Sequence, residues 1–195
     1  MFRNAIRQVQ QAETINTTGK IENIVGMSIE ASGAKAATLS FIRGREAREM
    51  DALGRAFLRD YVPRRCFPGA RAELDRLRAE GFRVVVVTAS AEVYMRLLPE
   101  FLPVDEVIAT RCAIDWQGRY TGAVGANCKG EEKPRRIREW LDARRLPEPD
   151  WAACRAYGDS PSDAPMLGMV GQPVLVDPRR SLRARLPGAP VARWR

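Results

Sequence analysis

The segment that most constrains the fold is a run of four consecutive valines inside residues 83–88, Arg-Val-Val-Val-Val-Thr. A short, wholly apolar run of β-branched residues is typical of a strand that is buried on both faces. Such strands occur mainly in parallel sheets that carry helices on both sides. The run therefore predicts an α/β domain with this strand in its interior.

Predicted helices and strands alternate around the valine run. The helices cover residues 70–79, 89–98, 131–145 and 161–170, and the further strands cover residues 106–109, 154–159 and 173–176. Residues 112–116 and 120–123 flank Gln117-Gly118 and predict a hairpin. Because this alternation is typical of right-handed βαβ units, we predict a doubly wound, Rossmann-like parallel sheet.

The chain changes character at Pro68-Gly69. From residue 2 to about residue 60, apolar residues recur at helical spacing. We therefore predict two regions, a small helical cap region at 1–66 and an α/β core at 67–195. No apolar run is long enough to span a membrane, and no secretory signal follows the first residues.

The positive charge of the chain is dispersed. The net charge is +8, and only four of the 32 basic residues are lysines. The arginines are scattered among alanines and acids, with no block of five like charges. This pattern disfavours a nucleic-acid partner, although a basic surface would suit a small phosphorylated substrate through electrostatic steering. A basic nucleic-acid binder stays as a less favoured alternative.

Cysteine and histidine usage narrows the chemistry. The sequence has four cysteines, no Cys-x-x-Cys pair and no histidine. These features disfavour a zinc site, and the absence of histidine excludes every Ser–His or Cys–His nucleophile pair. We interpret the cysteines as reduced thiols of a cytoplasmic protein. Catalysis would then depend on carboxylates, lysine and a hard metal ion.

Two candidate phosphate-binding groups stand at predicted element ends. Thr88, Ala89 and Ser90 follow the valine strand, where hydroxyl and N–H groups can donate to a phosphate. Ser90 could instead simply cap the next helix. Lys133 lies at the start of a helix and offers a compact positive charge. An ordinary solvated lysine is the alternative, and Lys129 is the weaker candidate because it precedes the helix.

The most specific signal is Gly158-Asp159-Ser160-Pro161-Ser162-Asp163. Two carboxylates four residues apart, between a strand end and a helix start, suit one direct magnesium ligand and one supporting group. The alternative is that both aspartates only cap the helix. Because ligands of open α/β sheets bind outside the carboxyl ends of the strands, we expect these three loops to converge.

Taken in order, these segments resemble motifs II, III and IV of the haloacid-dehalogenase superfamily. The matching segments are Val-Val-Val-Val-Thr-Ala-Ser, Gly-Glu-Glu-Lys and Tyr-Gly-Asp-Ser-Pro-Ser-Asp. The chain is most similar to subfamily IB, the phosphoserine-phosphatase-like group, over about residues 33–178. The resemblance implies a magnesium-dependent phosphomonoester hydrolase that has a cap over its site.

The resemblance also implies roles for individual residues. Thr88 would bind the phosphoryl group, and Lys133 would hold its charge and act in catalysis. Asp159 would ligate Mg²⁺, and Asp163 would support that ligation. Arg43 or Arg45, in the segment that corresponds to the cap, would touch the substrate.

One expected motif has no counterpart in the sequence. Such enzymes carry Asp-x-Asp at the end of a central strand, and its first aspartate attacks phosphorus. Here the first aspartate is Asp51, and no Asp-x-Asp occurs. Three explanations are open: a truncated gene product, a degenerate member that binds phosphate without hydrolysing it, or a rewritten strand at residues 24–32. In the last case Ser28 would replace the nucleophile and Glu30 the acid/base.

The sequence therefore predicts a phosphatase that is impaired because its central motif I strand is missing. The alternative is a non-catalytic phosphate-binding or interaction module. An exposed sheet edge would favour self-association, so a homo-oligomer is possible. The substrate identity is not encoded in any pattern we can read.

Overall fold

The computed structural model describes residue 39 and residues 41–194. Within residues 41–194, two helices precede the first strand. Helix α1 spans Ala47–Arg65 and helix α2 spans Pro68–Ala79. Pro68 opens α2 as predicted, because its missing N–H is not needed in the first turn. The helical pattern predicted for residues 2–31 and the candidate strand at 24–32 lie outside the described residues.

The valine run forms strand β1, Val85–Ala91, which pairs in parallel with β2, Glu106–Thr110. The predicted helix at 89–98 is wrong. β1 continues to Ala91 through a second pairing with Thr110, and only Glu92–Met95 is helical, as α3, before a 3-10 turn at Leu98–Glu100. The hydroxyl of Thr110 donates to the Ala89 carbonyl over 2.7 Å and so supports the extended backbone there.

An antiparallel hairpin follows β2. Strands β3, Cys112–Ile114, and β4, Tyr120–Val124, pair around a tight turn, as the sequence predicts. Gly118 in this turn has a φ of 76°, a conformation that glycine adopts without strain. The backbone of residues 44–47 bonds to Tyr120 of β4 and to Gly118 in the turn.

Helix α4, Glu132–Ala143, leads from the hairpin into a second parallel sheet. Its strands are β5, Arg155–Gly158, β6, Gln172–Val176, and β7, Val191–Ala192, in the order β5-β6-β7. A 3-10 turn at Pro161–Asp163 and helix α5, Ala164–Leu167, connect β5 to β6. Helix α6, Arg180–Arg185, leads to β7, and the sequence predicted neither of these last two elements.

One hydrophobic cluster joins the two parallel sheets, although no described strand hydrogen-bonds across them. It includes Val86 of β1, Tyr157 of β5 and Val176 of β6. Leu58 and Val62 of α1 belong to the same cluster, so the second half of α1 packs directly on the α/β layers. The division at residues 66 and 67 stays a prediction.

The described part of the chain contains no helix that combines the length and the apolar character needed to cross a bilayer.

A carboxylate on α2 makes the stability of this core pH-dependent. Hydrogen bonds from Arg76 hold the pKa of Glu73 below its ordinary value of 4.5, and the buried hydroxyl of Tyr157 adds to the effect. Burial, with the hydrogen bond to Glu73, raises the pKa of Tyr157 to about 12, so this hydroxyl stays a donor. The ionised form of Glu73 is therefore the form that the fold favours.

We expect Glu73→Gln to lower the free energy of unfolding by about 1 kcal/mol at neutral pH. The contribution of a carboxylate with a lowered pKa is fully present above pH 4.5 and is lost as the pH falls through the pKa of the folded state. Urea unfolding of both proteins at about pH 7 and about pH 3 should show the difference shrinking. An equal difference at both pH values would contradict this assignment.

Candidate functional site

A buried lysine connects strand β1 with the 3-10 turn that follows β5. Nζ of Lys133, in the first turn of α4, donates to the carbonyl of Val87 over 3.0 Å and to Oδ1 of Asp163 over 2.6 Å. The side chains of Lys133 and Asp163 are both 0% exposed. The structure thus brings together residues that are 46 and 30 positions apart in the chain.

Removing this ion pair from water costs free energy, and the hydrogen bonds between the two charged groups offset that cost. An isolated charge would be strongly disfavoured in the protein interior, whereas a paired and hydrogen-bonded charge is tolerated. An ammonium group has three N–H donors. Among the contacts of the described residues, Val87 and Asp163 use two donors of Lys133, which leaves one for a ligand oxygen.

The second oxygen of Asp163 fixes the loop after β5. Oδ2 accepts the backbone N–H groups of Asp159 over 3.3 Å and Ser160 over 3.1 Å. Ser160 in turn caps the 3-10 turn with its own hydroxyl, forming a capping box. Asp163 therefore does cap the 3-10 turn, as the alternative from the sequence proposed, and it contacts Lys133 at the same time.

Gly158 leaves the space in which Asp163 lies. A Cβ atom at position 158 would stand 2.7 Å from Cβ of Asp163, closer than such atoms approach one another. Any side chain at this strand end would therefore displace the carboxylate that holds Lys133. The requirement for glycine here is steric, not conformational.

The donor set at this edge suits a hard cation. Asp159 and Asp163 are both buried, and Asp159 lies at the strand end beside the Lys133 pair. Magnesium usually takes one or two carboxylates and completes its shell with water and substrate oxygens. Within the described part of the chain, no three histidine, cysteine or acidic side chains converge into an all-protein metal cage. The residues fit magnesium better than zinc or calcium.

Two buried hydroxyl groups follow Val87, whose carbonyl accepts Lys133, along β1. Thr88 is fully buried, and its Oγ1 accepts the N–H of Ser90 over 3.1 Å. Ser90 is also fully buried, and its own Oγ has no hydrogen-bond partner among the described residues. Because Ser90 lies within β1, it does not cap the following helix, whose N-cap residue is Ala91. The unsatisfied Ser90 hydroxyl is a donor available to a ligand.

The helix dipole expected behind Thr88-Ala89-Ser90 is largely absent. Helix α3 has only four residues, so few aligned peptide dipoles point at this loop. Ala89 contributes its backbone, whose carbonyl accepts the Thr110 hydroxyl. Phosphate binding at this loop would therefore rest on the hydroxyl groups and on Lys133.

Arg43 and Arg45 lie on the hairpin side of the molecule. Nε of Arg43 donates to the carbonyl of Thr121 over 3.0 Å, and Arg45 pairs with Glu49 at 3.3 Å. Both arginines are exposed. Their proposed contact with substrate stays a prediction.

Sequence reasoning gave no role to Thr110, which organises the site from β2. Besides bonding to Ala89, its Oγ1 accepts the N–H of Cys128 over 3.1 Å, so it ties the loop before α4 to the end of β1. The available signal was its position directly after the strand predicted at residues 106–109, beside the valine strand. A polar side chain at the end of one parallel strand lies next to the end of the strand it pairs with.

The arrangement can bind and neutralise a tetrahedral oxyanion. It combines an ammonium that Asp163 fixes, buried hydroxyl groups and the buried carboxylate of Asp159, which suits a divalent cation. These groups come from different elements and are held by packing and by hydrogen bonds to one another, so the site is preorganised.

Comparisons with known proteins point to one family. A model of the haloacid dehalogenase-like hydrolase family matches residues 8–168. The chain is 31% identical over 141 residues to the "Inhibition of morphological differentiation protein" of Streptomyces azureus, covering 72% of this chain and 50% of that protein. It is 29% identical over 164 residues to phosphoserine phosphatase SerB1 of Mycobacterium tuberculosis, covering 80% of this chain and 50% of that protein. The chain thus spans about half the length of these relatives.

A solved structure with a similar fold comes from Bordetella pertussis Tohama I and is described as a protein with unknown function. It superposes with a TM-score of 0.75 at 25% sequence identity, covering 97% of this chain and 82% of that chain. The similarity extends over nearly the whole sequence.

Proposed function

Because this chain belongs to the haloacid dehalogenase-like hydrolase family, we propose that its site binds a small phosphate monoester together with magnesium. The observation that carries this proposal is the buried contact of Lys133 with Asp163 and Val87, which fixes a cation between β1 and the turn after β5. A phosphate group needs a charge of this kind, held close to hydroxyl donors.

In this proposal each residue of the site has one task. Lys133 donates its remaining N–H to a phosphate oxygen, and Thr88 and Ser90 donate their hydroxyls. Asp159 holds the metal, and Asp163 keeps both Lys133 and the backbone of Asp159 in position. Magnesium, when bound, supplies positive charge that neutralises the phosphoryl oxygens.

The proposal assigns this chain a low rate of hydrolysis. A covalent route needs an aspartate that attacks phosphorus and a second acid to protonate the leaving group. The sequence has no Asp-x-Asp and no aspartate before Asp51. Both oxygens of Asp163 are engaged, and Asp159 is assigned to the metal. Loss of a nucleophile commonly lowers the rate by several orders of magnitude.

The second candidate function, a phosphate-binding module without catalysis, rests on the same observation about the sequence. The two candidates differ only in whether any residue replaces the missing aspartate. Ser28 and Glu30 are the alternatives that the sequence offers, and they lie outside the described residues.

Hydrolysis of an aryl phosphate by the purified chain, with and without magnesium, tests the proposal. We expect turnover several orders of magnitude below that of an intact phosphatase, with inorganic phosphate and magnesium still binding. Magnesium-dependent turnover that disappears in Asp159→Asn would reject the impaired-enzyme proposal and point to Ser28 and Glu30. Failure to bind either phosphate or magnesium would reject the site itself.

A further inference from the structure

The hairpin carries an unusual share of the exposed apolar surface. We define the hairpin platform as residues 41–47 together with β3, β4 and the turn between them. Five large apolar side chains of the described residues are markedly exposed, and three of them lie on this platform: Trp116 at 91%, Phe41 at 74% and Ile114 at 46%. Large exposed aromatic groups are uncommon on water-facing surfaces unless they meet a partner.

The platform holds these side chains on a rigid support. Oδ1 of Asp115 accepts the N–H groups of Gln117 and Arg119, each over 2.9 Å, which fixes the turn around Trp116. The hairpin is anchored through Cys112 and Tyr120, which are buried in one cluster with Val93 of α3. Trp116 is therefore presented outward by a folded element.

The segment that bears Phe41 is attached to the same support. The N–H of Gly44 donates to Tyr120 over 2.8 Å, and the N–H of Tyr120 donates back to Arg45 over 2.9 Å. The Ala47 N–H bonds to Gly118, which extends the pairing to the turn. Phe41 and Trp116 thus belong to one continuous backbone unit.

Unneutralised positive charge accompanies the apolar side chains. Arg43 and Arg119 are both exposed, and neither forms an ion pair with another residue that the structure describes. Asp115 is the one acid of the turn, and its carboxylate accepts hydrogen bonds from backbone N–H groups. Aromatic side chains flanked by arginine suit the interface of an anionic lipid bilayer, where rings enter the headgroup region and cations meet lipid phosphates.

We propose that the hairpin platform docks the protein on the surface of an anionic phospholipid bilayer. A second copy of the chain is the poorer occupant, because in a symmetric dimer the same patch meets itself. Arg43 and Arg119 would then face like charges, whereas an anionic surface neutralises them. Binding is weak and reversible, because stable anchoring in a membrane needs more buried apolar surface than a few side chains provide.

The platform also lies beside the site. β3 begins two residues after β2 ends, and Oε2 of Glu92, the first residue of α3, accepts the Cys112 N–H over 3.3 Å. The docking itself does not depend on the proposed function.

Co-sedimentation of the full chain with lipid vesicles tests the proposal. We expect binding to vesicles of equal parts phosphatidylglycerol and phosphatidylcholine, and little binding to phosphatidylcholine alone. Trp116→Ser should lower the partition coefficient about tenfold, because an exposed ring that inserts is lost. Its fold is unaffected because the side chain is 91% exposed.

A matched pair of charge reversals separates the platform from the general basicity of the chain. Arg119→Glu should lower partitioning about 25-fold, at about fivefold per unit charge near the surface. Arg183→Glu changes the net charge equally at an exposed site on α6 and should have little effect. Equal losses of binding from both variants would overturn the proposal, and so would no binding by the unaltered chain. A dimer that forms without lipid and that Trp116→Ser dissociates would also overturn it.

Discussion

Replacing Lys133 with methionine is expected to lower the free energy of unfolding by about 3–5 kcal/mol. The change leaves the carboxylate of Asp163 fully buried without its cation, and an uncompensated buried charge is among the most destabilising local defects. Methionine keeps most of the volume, so a cavity contributes little. Urea denaturation at neutral pH measures the loss directly.

Two controls make this result specific. Lys129→Met removes the same charge four residues earlier, at a partly exposed position, and should cost less than about 1 kcal/mol. Adding Asp163→Asn to Lys133→Met removes the stranded charge, so the double variant should be more stable than the sum of the single effects by about 2 kcal/mol. Additive effects would mean that the two side chains are not coupled in solution.

Asp159→Asn is expected to abolish stabilisation by magnesium and phosphate. A ligand at 100 times its dissociation constant adds about 2.7 kcal/mol to the stability of the folded state. For a chain of 195 residues this corresponds to a rise in Tm of about 5–10 °C. An amide supplies one neutral oxygen where magnesium prefers a carboxylate, so the shift should vanish in the variant.

The comparison is made on each protein with and without ligand, so a change in baseline stability does not affect it. Asp142→Asn, at an exposed position near the end of α4, makes the same chemical change and should keep the full shift. Thermal unfolding with magnesium and inorganic phosphate, added singly and together, is the measurement. A shift that survives in Asp159→Asn would remove Asp159 from the proposed metal site.

The fold class was predictable because the strongest local signals coincide with buried strands. The valine run, the second strand and the hairpin with its glycine turn all lie where the sequence predicts them, within a few residues. The family match confirms the α/β, Rossmann-like core. The pattern of apolar residues and the glycine of the turn were sufficient to predict these elements, because the residues within each element determine its secondary structure.

The errors occur where long-range contacts decide the local structure. Residues 89–91 have no strong preference, and the pairing of Ala91 with Thr110 keeps them extended instead of helical. Strand β7 has only two residues, and its position depends on Trp194, which packs on Tyr157 with ring centroids 5.4 Å apart. A window of local sequence cannot report such contacts.

In the site, too, some positions were predictable from the sequence and others depended on long-range contacts. The rarity of lysine in an arginine-rich chain singled out Lys133, and the structure brings it to Asp163 as the convergence of the loops requires. The position of Arg43 and Arg45 was not predictable, because it depends on how residues 41–47 pair with β4. The functional roles of all these residues stay predictions.

The contacts of Lys133 also have a consequence for how the chain folds. They close loops of 46 and 30 residues, and such closures carry an entropic cost that must be met before the contacts form. Non-local contacts of this kind are usually established late, after the helices and the hairpin. A partially folded chain would therefore have much of its secondary structure and no anion site. Recovery of phosphate affinity during refolding should lag behind recovery of helical signal, so ligand binding would report the last step of assembly.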